Sequence, residues 1–449
     1  MIQKALSAPA WLTSGSVYQI NPRTVSPEGT ITAITKELPY LASLGISTIY
    51  LCPIFEADAS ENRENWSVRQ KKYGTENPKN PYRMNDYFRI DEEYGTIDDL
   101  AECIREAHRC GMRLILDLVY LHIGPNASIL RTHPDFAKQN EDGSFILGPW
   151  NFPLLDFNNR GLREYLYCNM IYYIAVLDCD GFRCDVADGV PIDFWVEGRQ
   201  RICAVKPDAV MINEGRKGET LLAGFHAIYG FDWHNRLYEI VHEGRSVEQA
   251  VACWEQTNRD FPRGAIILRD LENHDTVTDW PARLEVNAGH ACMDMITALN
   301  LTIDGAPMLY CGNELCDTTT VNMFANRFHP GIYSATPRGE EMKNTPQAQR
   351  RQHIICILNA CRRDHELLRD GTTEWPNHNC KENVMVFRRV LGDRSIMFIG
   401  NFRSEPISVT ISDIHPAEII VSESAEQTAQ DTFALGAFGF AVLYEHRIL

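Results

Sequence analysis

None of the fourteen cysteines in this chain forms a C-x-x-C pair. They are scattered through apolar stretches (Cys103, Cys168, Cys356, Cys361), which argues against a zinc ribbon or a disulfide framework. Reduced, buried thiols in a cytoplasmic protein are expected instead. No stretch approaches the ~20 apolar residues of a membrane span. The N-terminal MIQKALSAPAWLTSG lacks the apolar core of a signal peptide, so neither an anchor nor a leader is expected. Positive charge is scarce, with 43 Lys and Arg against 60 Asp and Glu and a net charge of −17. That balance disfavours nucleic acid or an anionic membrane as partner and is compatible with a neutral ligand. No G-x-G-x-x-G or Walker loop follows any apolar run, so nucleotide binding has no support.

What is present is alternation. Short apolar runs recur at VYQI (17–20), TIYLCP (48–53), RLILDLVY (113–120), GFRCDV (181–186), AVMINE (209–214), AIYGFDW (227–233), AIILRDL (265–271) and APMLYC (306–311). Helix-like stretches fall between them, at 30–45, 96–111, 161–181, 246–261 and 347–368. The clearest, TIDDLAECIREAHRCG, has Thr96 as N-cap candidate, acidic residues in its first turn and a closing glycine. The fifth crossover, between residues 215 and 226, leaves little room for a helix. This pattern predicts an α/β fold, a (β/α)8 barrel over 1–122 and 161–370 with a short insert at 123–160. A doubly wound open sheet is the alternative. After residue 370, runs such as NVMVFRRV and RSIMFIGNF alternate at period two, which predicts an antiparallel β-sandwich over 371–449.

A parallel barrel does its chemistry at the carboxyl ends of its strands. Ionisable residues gather there: Asp117 and His122 after strand three, Arg183 and Asp185 on strand four, Glu214 after strand five, and His274 with Asp275 after strand seven. Period-two geometry puts Arg183 and Asp185 on one side of their strand. A neighbouring guanidinium lowers an aspartate's pKa, so Asp185 is expected to be ionised. An ionised carboxylate beside a second carboxyl of higher pKa is the pair that a retaining glycosidase uses. Structural ion pairs and a divalent-metal hydrolase are the competing readings. No H-x-H stands on strand one and Arg183 would oppose a cation, so no metal ligand set is assigned.

These residues occur in motifs that resemble the α-amylase family, glycoside hydrolase family 13. GFRCDVADGV, VMINEGR, LENHDTV and DLVYLH are similar to its strand-four, -five, -seven and -three motifs, and LLDFNN to the motif before helix three. NPYRMNDYFRIDEEYGTIDDL, GAPMLYCGNEL and WLTSGSVYQINPRTVSPEGT extend the resemblance over nearly the whole chain. It implies Asp185 as nucleophile, Glu214 as general acid/base and Asp275 as stabiliser of the transition state. It further implies that Arg183 orients Asp185, that His122 and His274 bind the reacting sugar, and that Tyr82 stacks on it, with Asp117 more structural than the others. The expected substrate is an α-linked oligosaccharide and no cofactor is expected; the oligomeric state stays open. Hydrolysis is the expected reaction, with transglycosylation, isomerisation or phosphorolysis as alternatives, and a non-catalytic sugar-binding homologue as another.

Three departures from the family pattern bear on substrate and metal. Leu121 stands where an asparagine usually helps bind a structural calcium, and it offers no oxygen, so that site is expected to be absent. Asp188-Gly189 replaces a Lys-His pair that contacts sugars on the leaving side, which favours short oligosaccharides or small α-glucosides over starch. The segment 56–80 is long and polar, with Trp66 and Tyr73 as candidate sugar platforms or else part of a flexible solvated loop. Trp150 and Phe152, in the insert, suit a small-substrate pocket.

Overall fold

A computed structural model describes residues 3–73, 75–329, 339–415 and 417–446. Eight parallel strands close into a barrel: β1 (Ser16–Ile20), β2 (Ile46–Leu51), β3 (Arg113–Leu118), β4 (Gly181–Cys184), β5 (Val210–Asn213), β6 (Ala227–Tyr229), β7 (Ile266–Arg269) and β8 (Ala306–Tyr310). Each strand pairs with its neighbours in chain order and β8 closes on β1. Every apolar run named above supplies one strand. Inward-facing Val17, Tyr50, Ile115, Ile212, Leu268 and Met308 fill the interior, and Leu12 packs with them. A second apolar layer, with Leu38, Ile104, Leu166, Trp195 and Leu237, joins the outer faces of the strands to the helices.

The helices start where the sequence has a cap. Thr96 and Asp99 form a reciprocal capping box at Ile97–Arg109, Thr30 caps Ile31–Ser43, and Asn159 caps Arg160–Ala175; each satisfies amides that the helix leaves free. The fifth crossover is only a 3₁₀ turn, Gly218–Leu222. Helices Ile192–Val205, Phe231–Glu243 and His290–Thr302 add to the five expected stretches. The run AIYGFDW is therefore not all strand. It ends at Tyr229, and Phe231 onward begins a helix.

One glycine is dictated by the barrel itself. Gly181 has φ +146°, and a Cβ there would lie 2.1 Å from the carbonyl oxygen of Val210 on β5. Close approach of β4 and β5 thus requires glycine at the head of GFRCD.

Beyond the barrel, β9 (Thr372–Glu374), β10 (Val384–Leu391), β11 (Arg394–Asn401), β12 (Ile407–Thr410), β13 (Ala417–Ala429) and β14 (Thr432–His446) are antiparallel. They belong to one hydrogen-bonded sheet, in which β14 pairs with β11, β12 and β13, rather than to the two sheets of a sandwich. One face encloses its own core of Val386, Met397, Val409, Phe433 and Leu443. Phe387, Ile396, Phe398 and Val442 point the other way and join the barrel's outer core. The insert between β3 and Arg160 holds 3₁₀ turns and isolated bridges, including His122 with Leu154.

Candidate active site

Arg183 is the centre of the upper barrel. Only 1% of its side chain is exposed, and its Nη1 donates to Asp117 Oδ1 (2.8 Å) and Asp185 Oδ1 (2.8 Å). Its Nη2 lies 2.5 Å from Glu214 Oε1, and the guanidinium sits 5.6 Å from the Tyr229 ring centroid. The positions follow from strand geometry. Asp117 on β3 is in register with Arg183 on β4, and Asp185 lies two residues further along the same side of the chain. Glu214 follows β5, and its Oε2 accepts from the Val186 amide at 2.8 Å. Val186 holds the left-handed conformation, φ 40° and ψ 44°, a strained state for a β-branched residue.

Three carboxyl groups on one guanidinium cannot all be charged without cost. Burial, followed by the charge of Glu214, pushes the Asp185 acid well up, and Arg183 opposes both. The expectation that Arg183 alone would hold Asp185 ionised therefore needs correction. Glu214 is itself pushed up to about 7, with burial the largest cause. The resolution is a single proton on the pair: protonating Glu214 leaves Asp185 charged against the guanidinium.

Asp275 is different. Burial raises its acid, but His274 and Arg69 outweigh that and hold the carboxyl far below the usual carboxylate range. It begins a short helix, Thr276–Asp279. Asn273, the first residue of the N-H-D triplet, accepts from the amides of Asp275 (3.0 Å) and Thr276 (3.1 Å) and so fixes the turn.

The two histidines have assigned tautomers. Gln19 Oε1 accepts from the His274 amide at 3.0 Å, so its Nε2 donates to His274 Nδ1 at 2.8 Å. The proton of neutral His274 is then on Nε2, which faces Tyr82 Oη (2.7 Å) and Asp275 Oδ2 (3.2 Å). Tyr82 in turn donates to Asp117 Oδ2 at 3.3 Å, and its ring is stacked on His274 at 5.6 Å. His122 donates from Nε2 to the Tyr82 carbonyl at 2.9 Å. Its Nδ1 has no partner among the described residues and presents a buried lone pair. Burial pushes the His122 imidazolium down to about 4, so the ring is neutral at ordinary pH.

Asp185, Glu214, Asp275, His122, His274 and Tyr82 line one cavity, together with Trp150, Phe152, Met323, Phe324 and Arg69. Apolar walls with a few convergent polar groups suit a compact polar ligand that has apolar faces.

A model of the α-amylase catalytic domain matches residues 13–149. A cyclomaltodextrinase from Geobacillus thermopakistaniensis is 25% identical over 452 residues, covering 90% of this chain and 71% of that protein. An intracellular maltogenic amylase from Bacillus subtilis is 24% identical, covering 88% and 69%. In sequence the chain is thus similar to members of the α-amylase family. Its fold is that of solved members: the crystal structure of a noncanonic maltogenic α-amylase from Thermotoga neapolitana superposes with a TM-score of 0.81, at 23% identity, over 97% of this chain and all of that one.

Of the residues that the family motifs single out, six face the cavity, whereas Arg183 and Asp117 stand behind its wall. Asp117 touches Arg183, Tyr50 (2.6 Å) and Tyr82, so it supports the wall and does not line it. Asp188 also turns away. Its carboxylate accepts from the amides of Arg216 (2.6 Å) and Lys217 (3.1 Å) and from Asn213 Nδ2 (3.0 Å), bracing the turn after β5. Trp66 is no sugar platform: it is 2% exposed, donates to the Ser60 carbonyl and lies under Arg63. Tyr73 stacks on Phe324 (6.0 Å) and donates to Asp279 (2.8 Å).

The described residues of the segment 56–80, which leave out Gly74, are built, not loose. Arg83, fully buried, donates to the carbonyls of Asp58, Ser60, Asn65 and Pro78. Gln70 donates to the carbonyls of Asn77 and Pro78. Thr75 and Asn77 both reach the Phe324 carbonyl. This frame carries Arg69 into the site, which nothing in the local sequence announced. Gln19, Tyr50 and Tyr229 were likewise unforeseen as supports.

Among the described residues, one other group has metal-ligand chemistry: Glu285, His290 and Cys316, within 4.8 Å of one another. Arg351 donates to both oxygens of Glu285 (3.2 and 3.1 Å), and burial pushes the Cys316 thiol up to about 12. A guanidinium already fills the role of the cation there. No helix among the described residues is long and apolar enough to cross a membrane.

Proposed function

We propose that this chain is a retaining α-glucoside hydrolase acting on short α-linked oligosaccharides or small α-glucosides. The observation that carries the reading is that Asp185 and Glu214 face one cavity while gripped by neighbouring nitrogens of a single guanidinium. Held this close, they suit double displacement, which needs carboxyl groups about 5–5.5 Å apart, better than an inverting reaction with a water between them.

Asp185, ionised, attacks the anomeric carbon and forms a glycosyl ester; protonated Glu214 gives its proton to the departing oxygen. Glu214, now a carboxylate, takes a proton from water, whose oxygen attacks the same carbon and releases Asp185. Asp275, ionised throughout, stabilises the positive charge that develops on the ring and accepts from ring hydroxyls. His122 accepts a hydroxyl through its free Nδ1, and Tyr82, set by His274 and Asp117, gives the sugar an aromatic face.

Substrate size follows from the walls. Trp150, Phe152, Met323 and Phe324 make a small cavity, and Asp188, occupied by backbone amides, cannot grip a long glucan. The named relatives, a cyclomaltodextrinase and a maltogenic amylase, support the same class. The family's calcium position does not suit this chain. Leu121 supplies no oxygen ligand and turns its methyl groups toward Gly189, where a Cβ would meet Leu121 Cδ1 at 3.1 Å, which supports that reading. Buried thiols such as Cys52, Cys103 and Cys184 support a cytoplasmic location.

The test is product analysis with maltose, maltotriose, isomaltose, p-nitrophenyl α-glucoside and soluble starch, with and without phosphate. Release of reducing sugar of retained α configuration from the short substrates, abolished in Asp185→Asn, is expected. Release of β-anomer, or faster cleavage of starch than of maltotriose per site, overturns the mechanism or the substrate class respectively.

A further inference from the structure

Arg69 lies in a short helix, Val68–Lys72, whose first turn is capped by Ser67. Its Nη1 donates to Asp275 Oδ1 at 2.6 Å, its Nη2 to the Asp275 carbonyl at 3.2 Å and its Nε to Asp279 Oδ1 at 2.9 Å. The guanidinium is 5.6 Å from the Phe324 ring centroid, and Phe324 is held through its own carbonyl by Thr75 and Asn77. Three of the five N–H groups of a guanidinium are thus spent on these acceptors, Nη1 also faces the Met323 sulfur at 4.0 Å, and one N–H remains on a side chain that lines the cavity. Of Asp275's two oxygens, Oδ1 is taken by Arg69 and Oδ2 faces His274.

We propose that Arg69 is a positioning and specificity residue: it clamps Oδ1 of Asp275, aims Oδ2 at the ring hydroxyls, and offers its own free N–H to the same sugar. The proposal rests on the glycosidase reading. A rigid frame matters to it. Because Arg83 and Gln70 tie the segment down, the clamp is set before substrate arrives, and a sugar binds to a carboxylate already oriented. The clamp is also electrostatic. Burial by itself would raise the Asp275 acid; His274 and Arg69 outweigh it and hold the carboxyl ionised. A neutral sugar rich in hydroxyls fits such an arrangement, since Arg69, the one Lys or Arg among the described residues that line the cavity, is already balanced by Asp275 and Asp279.

Arg69→Gln and Arg69→Lys in the full chain provide the test, read by kcat, KM, pH profile and melting temperature on p-nitrophenyl α-glucoside. Removing one preorganised charge-bearing donor costs about 10²–10³-fold. Arg69→Gln should lose about that much in kcat/KM, mostly in kcat, and its acid limb should move to higher pH as Asp275 loses its cation. Arg69→Lys should recover at least about tenfold, and melting should move by no more than about 2 °C for so exposed a pair. A kcat/KM within threefold of wild type with the acid limb unmoved overturns the proposal. So does a loss accompanied by collapse of the melting temperature and not recovered by lysine. Calorimetry of maltotriose on Asp185→Asn separates the two readings. If wild type binds maltotriose without turning over any α-glucoside, the hydrolase reading alone fails. Arg69 then stands on a tenfold or greater weakening by Arg69→Gln and falls without it; no binding at all removes both.

Discussion

Glu214 should titrate near neutrality, and replacing it with glutamine should expose that in two independent ways. Its acid is pushed from 4.5 to about 7, with burial first among the causes. At 1.36 kcal/mol per unit, that corresponds to about 3 kcal/mol in favour of the protonated form. The side chain is only 12% exposed, so little of this is lost to solvent. The sign is as follows: the folded state holds this proton more tightly than the unfolded chain does. Stability is therefore greatest below about 4.5 and falls as pH rises through about 7. Glu214→Gln, which cannot ionise, should match wild type at pH 4.5. It should be more stable at pH 8 by up to about 3 kcal/mol in urea unfolding. In catalysis the same ionisation removes the proton donor, so kcat/KM for p-nitrophenyl α-glucoside should fall about tenfold per pH unit above 7. With α-glucosyl fluoride, whose leaving group needs no proton, that limb should vanish and Glu214→Gln should retain most of the first step. A basic limb above pH 9, a fluoride profile with the same limb, or no excess stability of Glu214→Gln at pH 8 would refute the assignment.

Other consequences are as direct. Arg83→Met should leave the carbonyls of Asp58, Ser60, Asn65 and Pro78 without their donor; at about 1–3 kcal/mol for each buried group left unsatisfied, a loss of several kcal/mol is expected, with hydrogen exchange accelerated over 58–80 in particular. Gly181→Ala should prevent folding to the native barrel, because the added methyl meets the Val210 carbonyl oxygen at 2.1 Å; soluble expression and far-ultraviolet circular dichroism report it, and a native-like Tm would contradict the register drawn here. Millimolar calcium should leave the melting temperature within about 1 °C of its value in EDTA, since Leu121 supplies no oxygen ligand.

The barrel was legible because each strand is an apolar run bounded by polar residues, and the candidate site because Asp185, Glu214 and Asp275 sit where such runs end. Helix His290–Thr302 escaped notice for a physical reason: all but its first two residues are buried, so it has no polar face and no 3.6-residue period. Strand β13 escaped for the opposite reason, being mostly exposed and polar. Arg69 stands 206 residues from Asp275, in a segment whose charges read as a solvated surface. Only the fold brings them together. Arg83 is the same case inside one loop: a guanidinium surrounded by carbonyls is indistinguishable in sequence from one surrounded by water. Asp188 and Leu121 were noticed as departures, but the reason each is tolerated, a braced turn and a methyl contact with Gly189, lies in packing.

The placement of Arg183 between two arms has a further consequence for the reaction cycle. In the proposed double displacement Asp185 loses its charge on becoming an ester, and in the same step Glu214 acquires one by releasing its proton. Asp117 does not change. The total charge around the guanidinium is therefore the same before, during and after the covalent intermediate, and only its location crosses from Nη1 to Nη2. A buried cation that sees constant charge needs no rearrangement of its surroundings to follow the chemistry, which suits a side chain as buried as that of Arg183.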